Sequence, residues 1–161
     1  MNDIYRERIS ELYLELYDRL MIFARNSLES ESLAEEAVQE AFRIACQKPE
    51  ALFNSPNPQG WLVLTLKNTI RNIRRNRATA KRIVGAYLLE QVESVAVYED
   101  TISLKMQYQD LADSEELKLL YEMAIEGRSH TEMAQARGIT VSACKKRVQR
   151  AKELLKKKMT I

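Results

Sequence analysis

Glycine and proline are scarce in this chain, four and three residues of 161, which argues against turn-rich architectures. Leu, Ala, Glu, Lys and Arg are abundant instead, and because these side chains lose little rotamer freedom in a helix, the composition predicts a mainly helical protein. Cysteine occurs twice, as Cys46 and Cys144, with no CxxC spacing, and histidine once, as His130. That set does not build a zinc cluster, and two buried, reduced thiols in a cytosolic protein is the expectation. There is no glycine-rich phosphate loop and no nucleophile with a base or metal cluster beside it, so an enzyme is the least supported class and no cofactor or metal is expected. No apolar run approaches the roughly 20 residues of a bilayer-spanning helix. The N-terminal MNDIYRERISELYLELYDRL scatters charges through its apolar positions, unlike a signal peptide. A soluble, cytoplasmic protein without membrane insertion is expected. The 45% hydrophobic content suffices for one ordinary domain or two small ones with modest cores.

The net charge of +2 conceals a block pattern. Residues 67–82 hold seven basic side chains and no acid, and residues 145–158 hold eight basic side chains against Glu153 alone. Fifteen of the 25 basic residues therefore lie in two short segments. Residues 1–66 and 83–144 are both acidic on balance. Two basic helices, each at the end of an amphipathic unit, favour two separate contacts with a polyanion over two merely solvated faces.

Periodicity divides the chain into two helical units and a connector. Leu12, Leu16, Leu20 and Phe23 lie at helical spacing between about Ile4 and Arg25, and the polar NSLESES that follows reads as a turn. Ser32 and Glu35 form a capping-box pattern for a second helix with Val38, Ala41, Phe42 and Ala45 on one face, ending before Pro49. KPEALFNSPNPQG reads as a loop, with Asn57 as N-cap and Pro58 as the first residue of a third helix. On that helix Leu62, Leu66, Ile70 and Ile73 form the core stripe. Lys67, Arg71, Arg74 and Arg75 cluster roughly 130° around the axis, at about 100° per residue. One face is core and the other is offered to a partner. The connector, roughly residues 79–112, has weaker periodicity, although IVGAYLLEQV has helix-compatible composition.

In the second unit Asp113 and Glu116 are placed to cap a helix carrying Leu117, Leu120, Tyr121 and Ala124, with Gly127 as its stop. Ser129 and Glu132 repeat the capping-box pattern for a short helix with Met133 and Ala134, closed by Gly138. Thr140 then caps a last helix whose Val141, Cys144, Val148, Ala151 and Leu155 follow a three-four alternation. This is the layout of a helix-turn-helix. Ser142, Lys146, Gln149 and Arg150 face away from the apolar stripe, with Ala143, Lys145 and Arg147 at its margins.

Three blocks in this order resemble the extracytoplasmic-function group of sigma-70 family RNA polymerase sigma factors. AEEAVQEAF (34–42) is similar to that family's region 2.2, NPQGWLVLTLKNTIRNIRRNR (57–77) to region 2.3 and its basic continuation, and EGRSHTEMAQARGITVSACKKRVQRAKELL (126–155) to region 4. The resemblance implies an all-α fold of two small helical domains: a σ2 bundle over residues 1–78, a linker over 79–112, and a σ4 helix-turn-helix domain over 113–161. It also implies core RNA polymerase, through the β′ clamp helices and β flap, and promoter DNA as partners. An anti-sigma factor is common in the family.

Carried over by position, the resemblance assigns Glu36, Gln39, Glu40 and Arg43 to the clamp-docking face. Glu36 stands where the family often has Asp. Asn54, Ser55 and Asn57 fall in the loop that captures a base flipped from the −10 element, an extrusion that costs a few kcal/mol and needs a hydrogen-bonding pocket to offset it. Asn57 also has the competing role of helix cap, and Trp61 can either stack on a base of the melted strand or pack in the core. Asn68 matches a position beside the promoter strand, with Lys67, Arg71, Arg74 and Arg75 on phosphates. Ser142, Ala143, Lys145, Lys146, Arg147 and Arg150 occupy the helix that reads the −35 element, where Arg or Lys can donate to guanine and the remaining contacts hold phosphates. The alternative is a helix-turn-helix regulator acting without core polymerase. Block 34–42 discriminates the two, since such a regulator has no need of a clamp-docking helix.

Overall fold

The computed structural model describes residues 2–94 and 114–159. Seven helices occur among them, and no strand: α1 (Asp3–Leu28), α2 (Glu31–Gln47), α3 (Pro49–Asn54), α4 (Pro58–Ser94), α5 (Glu115–Ala124), α6 (His130–Arg137) and α7 (Val141–Lys158). The chain divides into two compact units, Met1–Arg75 and Asn76–Ile161.

In the first unit α1 contributes Ile9, Leu16, Leu20, Met21, Ala24 and Leu28 to the core, spaced at three, four and seven residues. They meet a face of α2 in which Ala34, Ala37, Ala41 and Ala45 are all fully buried. Alanine at such spacing leaves little side chain between two helix backbones, so α1 and α2 can pack closely while Leu33, Val38 and Phe42 fill the flanks. Leu52 of α3 and Leu62, Leu66 and Ile70 of α4 complete the cluster. Phe23 and Ile73, expected on core stripes, sit at its margin: Phe23 is 38% exposed and Ile73 only packs against the cluster.

The helix boundaries differ from the sequence expectation in three places, each for a packing reason. First, α1 continues through Asn26 and Ser27 because Leu28 prolongs its apolar stripe one turn beyond Ala24. Glu29 then reverses the chain in the left-handed region, at φ 54°. Ser30, not Ser32, is consequently the cap of α2, its hydroxyl accepting from the Leu33 N–H at 3.3 Å. Second, most of the supposed loop KPEALFNSPNPQG is helical. Pro49 is tolerated at the first turn, where its missing N–H costs nothing, and Leu52 anchors α3 with no exposed surface. Third, α4 runs on to Ser94 through the first part of the expected connector, where IVGAYLLEQV has helix-compatible composition. Ala80, Ile83, Val84 and Tyr87, at i, i+3, i+4 and i+7, are buried in the second core with α5, α6 and α7, so the first part of the expected linker is structural. Residues 95–113 of that linker lie outside the described residues.

In the second unit those four residues join Leu117, Leu119, Leu120, Met123 and Ala124 of α5, Met133 and Ala134 of α6, and Cys144, Val148, Ala151 and Leu155 of α7. The cap of α5 is Ser114, accepting from the Leu117 N–H at 3.4 Å, and Asp113 lies outside the described residues. Gly127 takes φ +67° in the turn after α5 rather than directly at the helix end. Cys144 is fully buried, as expected of a small core hydrophobe, whereas Cys46 is exposed, contrary to expectation. The buried Ala45 turns the core-facing side of α2 away from its neighbour Cys46. Among the described residues no helix is long and apolar enough to cross a membrane, and no cluster of His, Cys, Asp and Glu is placed to hold a metal ion.

Truncating Tyr87 to Ala should cost about 3 kcal/mol, the usual magnitude for a buried aromatic. Chemical denaturation of the full chain followed by circular dichroism checks this. A loss below about 0.5 kcal/mol, the range of ordinary surface substitutions, would show that the C-terminal part of α4 is not core.

Candidate nucleic-acid interface

The exposed face of α4 begins as a consequence of its core stripe. With Leu62, Leu66, Thr69 and Ile70 buried, the opposite side of the helix carries Leu64, Lys67, Asn68, Arg71 and Arg75, all exposed. Thr69 is tolerated inside because its hydroxyl donates to the Thr65 carbonyl at 2.9 Å. The Lys67 ammonium lies 5.8 Å from the centroid of the Phe23 ring, a cation–π distance that leans the side chain toward α1. Arg75 donates through Nη2 to Asn72 Oδ1 at 2.6 Å.

Arg74 is held differently from its neighbours. Its Nη2 donates to the carbonyl of Ser27, in the last turn of α1. The last four carbonyls of a helix have no intrahelical partner, and a cation there also complements the dipole. Arg74 therefore braces α4 against the end of α1, while Lys67, Arg71 and Arg75 project from the solvent face.

The short segment joining α3 to α4 is tied down by a relay of hydrogen bonds. The Ser55 N–H donates to the Leu52 carbonyl at 3.3 Å, the Asn57 N–H donates to Ser55 Oγ at 3.3 Å, and the Gly60 N–H donates to Asn57 Oδ1 at 3.1 Å. Asn57 is thus the N-cap that the sequence suggested, and its acceptor oxygen is spent on the helix. Gly60 permits this arrangement: a Cβ there would stand 2.7 Å from Asn57 Nδ2. Asn54 is exposed and ends α3. Gln59 donates to Glu15 Oε1 at 3.1 Å, fastening the first turn of α4 to α1. Trp61 is partly buried and packs against the core.

On α2, Glu36, Gln39, Glu40 and Arg43 follow the i, i+3, i+4, i+7 spacing of one helix face, opposite the alanine face that packs on α1. Gln39 and Arg43 are exposed, and Glu36 and Glu40 are half-buried. Arg43 forms a bidentate pair with Glu40, Nε donating to Oε2 at 2.7 Å. That hydrogen bonding raises the Arg43 pKa above its ordinary value. The pair is an i, i+3 contact near the surface, so it orders the side chains while adding little stability.

The second candidate surface is the helix-turn-helix of α6 and α7. Ser129 and Glu132 make the expected capping box, with the Glu132 N–H donating to Ser129 Oγ at 3.2 Å and the Ser129 N–H to Glu132 Oε1 at 3.3 Å. Gly138 adopts φ +63° as the helix stop, and the Ile139 N–H returns to the Ala134 carbonyl at 3.0 Å. Thr140 caps α7 through the Ala143 N–H at 3.0 Å. A clamp invisible in sequence spacing secures α6 to α5: Arg137, its side chain only 13% exposed, reaches Glu115 and Glu122, each at 2.8 Å. Burial opposes the charge on Arg137, but the two carboxylates outweigh it and raise its pKa. With α7 fixed by Cys144, Val148, Ala151 and Leu155, the exposed side carries Ser142, Lys145, Lys146, Arg147, Gln149 and Arg150, and Ala143 is half-buried. Lys146, Arg147 and Arg150 make no ion pair or hydrogen bond among the described residues. Val141, expected on the apolar stripe, is 37% exposed at the first position of α7.

On α2, α4 and α7 the expected residues that are exposed share a helix face, while Arg74 braces α1 and Trp61 packs partly against the core. Leu64, 59% exposed amid the basic residues of α4, escaped the sequence reading because a leucine beside Leu62 and Leu66 suggests core. Residues 12–79 match the family model described as sigma-70 region 2. No protein of curated function matches the chain.

Gly60→Ala should be coupled to Asn57. Alanine is favoured over glycine in a helix by up to about 1 kcal/mol, but the clash with the Asn57 amide should cancel that gain in the native background. In an Asn57→Ala background the same substitution should stabilise the protein. A double-mutant cycle by chemical denaturation checks the sign, and simple additivity would exclude the close contact.

Proposed function

We propose that the protein is a transcription initiation factor of the extracytoplasmic-function type, which binds bacterial core RNA polymerase and directs it to promoters. The observation that carries this reading is the sigma-70 region 2 match over residues 12–79, the part of the chain that presents both the α2 face and the basic α4 face. In this reading residues 1–78 form σ2, residues 113–161 form σ4, and the factor works in the cytoplasm without membrane insertion. Glu36, Gln39, Glu40 and Arg43 dock on the β′ clamp helices, and the σ4 unit engages the β flap. The factor performs no chemistry of its own. It positions a polymerase that does.

The two basic surfaces divide promoter recognition. Lys67, Asn68, Arg71 and Arg75 follow the strand at −10, while Asn54, Ser55 and Asn57 accept a base extruded from the duplex. The few kcal/mol of unstacking are offset there by fixed hydrogen-bonding groups rather than by groups that must first be ordered. Arg74 contributes through its hold on α1 more than through phosphate. Trp61 supplies at most an edge to a melted base, because part of its surface is occupied by core. On α7, Ser142, Lys146 and Arg150 are directed at the major groove of the −35 element, with Lys145, Arg147 and the Ala143 backbone region alongside. Lysines and arginines that have no partner of their own are the ones best able to exchange water and counterions for DNA. An anti-sigma factor that covers the polymerase-binding faces fits the same surfaces.

Run-off transcription with purified bacterial core polymerase on genomic fragments is the test, with stimulated, promoter-specific initiation expected. No stimulation together with no co-purification with core would defeat the reading in favour of a helix-turn-helix regulator that binds duplex alone. Within an active holoenzyme, Lys146→Ala and Arg150→Ala should each weaken −35-dependent initiation by roughly 5- to 150-fold, the span of about 1–3 kcal/mol for a base contact. A residue that holds phosphate instead should reduce the salt slope by about one and leave base preference intact. Unchanged initiation, preference and slope in both variants would remove α7 as the recognition helix.

A further inference from the structure

The N-terminal turn of α1 makes a contact that neither the core nor the proposed DNA surfaces account for. The rings of Tyr5 and Phe53 lie nearly parallel, 5° apart with centroids separated by 5.5 Å. The Arg8 guanidinium carbon stands 3.9 Å from the centroid of the same Phe53 ring. Tyr5 and Arg8 are three residues apart on α1 and so share a face. Phe53 is the penultimate residue of α3, followed directly by Asn54 and the segment Ser55–Asn57.

The other holds on that segment are the core contacts of Leu52 and Phe53 and the hydrogen bonds leading into α4. Helix α3 has six residues and no side-chain cap at its N-terminus. Leu52 pins it from the core side. Beyond Leu52 the relay runs outward through Ser55, Asn57 and Gly60, so any tilt of α3 about Leu52 would be transmitted to all three. The Phe53 ring also packs against the margin of that core, and the stack with Tyr5 and Arg8 adds a further hold against such a tilt. An aromatic pair and a cation over a ring each contribute little to global stability but much to the local placement of a three-residue loop.

We propose that Tyr5 and Arg8 are positioning residues for recognition at −10: acting through Phe53, they set where Asn54, Ser55 and Asn57 stand relative to the first turn of α4. The proposal rests on the reading of this loop as the base-capturing element. Neither side chain has to touch DNA. What they supply is preorganisation, so that the hydrogen-bonding groups of the loop need not be ordered when the base arrives.

Two measurements on the full chain test this, one of them independent of polymerase. In the free protein, Tyr5→Ala and Arg8→Ala should accelerate amide exchange at Asn57, Gly60 and Trp61 by roughly fivefold, with amides in the middle of α2 unaffected. Arg8 is exposed, so its variant keeps the fold even if Tyr5→Ala does not. In the holoenzyme, initiation should be compared across promoters altered at single −10 positions and, separately, at single −35 positions. The Ala variants should lose −10 discrimination by roughly tenfold, the scale on which small misplacements of binding groups act. Core affinity and −35 discrimination should stay unchanged, and Tyr5→Phe and Arg8→Lys should restore the −10 effect because ring and cation suffice. Unchanged exchange and unchanged −10 discrimination in Arg8→Ala would overturn the proposal. So would a lower salt slope in Arg8→Ala with −10 discrimination retained, which would make Arg8 a phosphate contact. Loss of discrimination in Tyr5→Phe equal to that in Tyr5→Ala would assign the effect to the hydroxyl and equally overturn it. If the wild type itself fails to initiate with core polymerase, the promoter reading fails, and the exchange arm alone decides whether the stack holds the loop.

Discussion

The buried stripe of α4 is the constraint on which the rest depends. A single helix of 37 residues gives Leu62, Leu66 and Ile70 to one core and Ala80, Ile83, Val84 and Tyr87 to another. Burying an unpaired guanidinium or ammonium costs far more than burying leucine gains, so once Leu62, Leu66 and Ile70 are committed, Lys67, Arg71 and Arg75 have only the remaining face of the helix to occupy. The concentration of positive charge on a narrow surface thus follows from packing. Residues 67–82 contain no acid, so no carboxylate within that stretch competes for its cations.

Not all of that charge is available outward. Arg74 is drawn to the Ser27 carbonyl, Arg75 is steadied by Asn72, and Arg77 lies over the Gly127 turn, where a Cβ would approach its Nη2 to 3.1 Å. Arginine's planar fork suits it to satisfying helix-terminal carbonyls, and Arg74 is used so at the end of α1. On α7 the balance is different. The core-facing residues there are small or medium (Cys144, Val148, Ala151), the neighbouring helices are held by Arg137 with Glu115 and Glu122, and Lys146, Arg147 and Arg150 are left for solvent. The two basic segments look alike in composition but differ in how much of their charge is already employed.

The elements most legible in the sequence were those whose signals are local. Ser129 with Glu132, Gly138 and Thr140 each act within a few residues, so the boundaries of α6 and the start of α7 could be placed from spacing alone. Asn57 with Pro58 was readable for the same reason. What escaped was settled by contacts distant in sequence. Ser30 outcompetes Ser32 as a cap because Leu28 finds a place in the core and carries α1 one turn further. The helical character of 79–94 depends on Ile83, Val84 and Tyr87 meeting α5 and α7, which no window along α4 contains. The position of Arg74 required knowing where α1 ends. The exposure of Cys46 required knowing which side of α2 the alanines bury. For the candidate faces, which side chains share a helix face was legible while the partners of each were not, since the former follows from helical periodicity and the latter from contacts across the fold.

Asn57 shows how far a structural duty narrows a recognition role. Capping α4 spends its Oδ1 on the Gly60 N–H, and the orientation of the amide is fixed by that bond because only the oxygen can accept. Nδ2 is what remains, a donor. Ser55 Oγ already accepts from the Asn57 N–H, which leaves its hydroxyl proton as the natural outward group. On the proposed reading, then, the fixed part of the loop presents donors to an extruded base, and a base edge with adjacent acceptors meets them best. Asn54, exposed at the end of α3 and free to present either side of its amide, is the residue left to accept from a base that also donates. The helix cap and the base pocket are not competing explanations of Asn57. The cap removes one half of its hydrogen-bonding capacity and, by fixing the other half in place, gives it a direction.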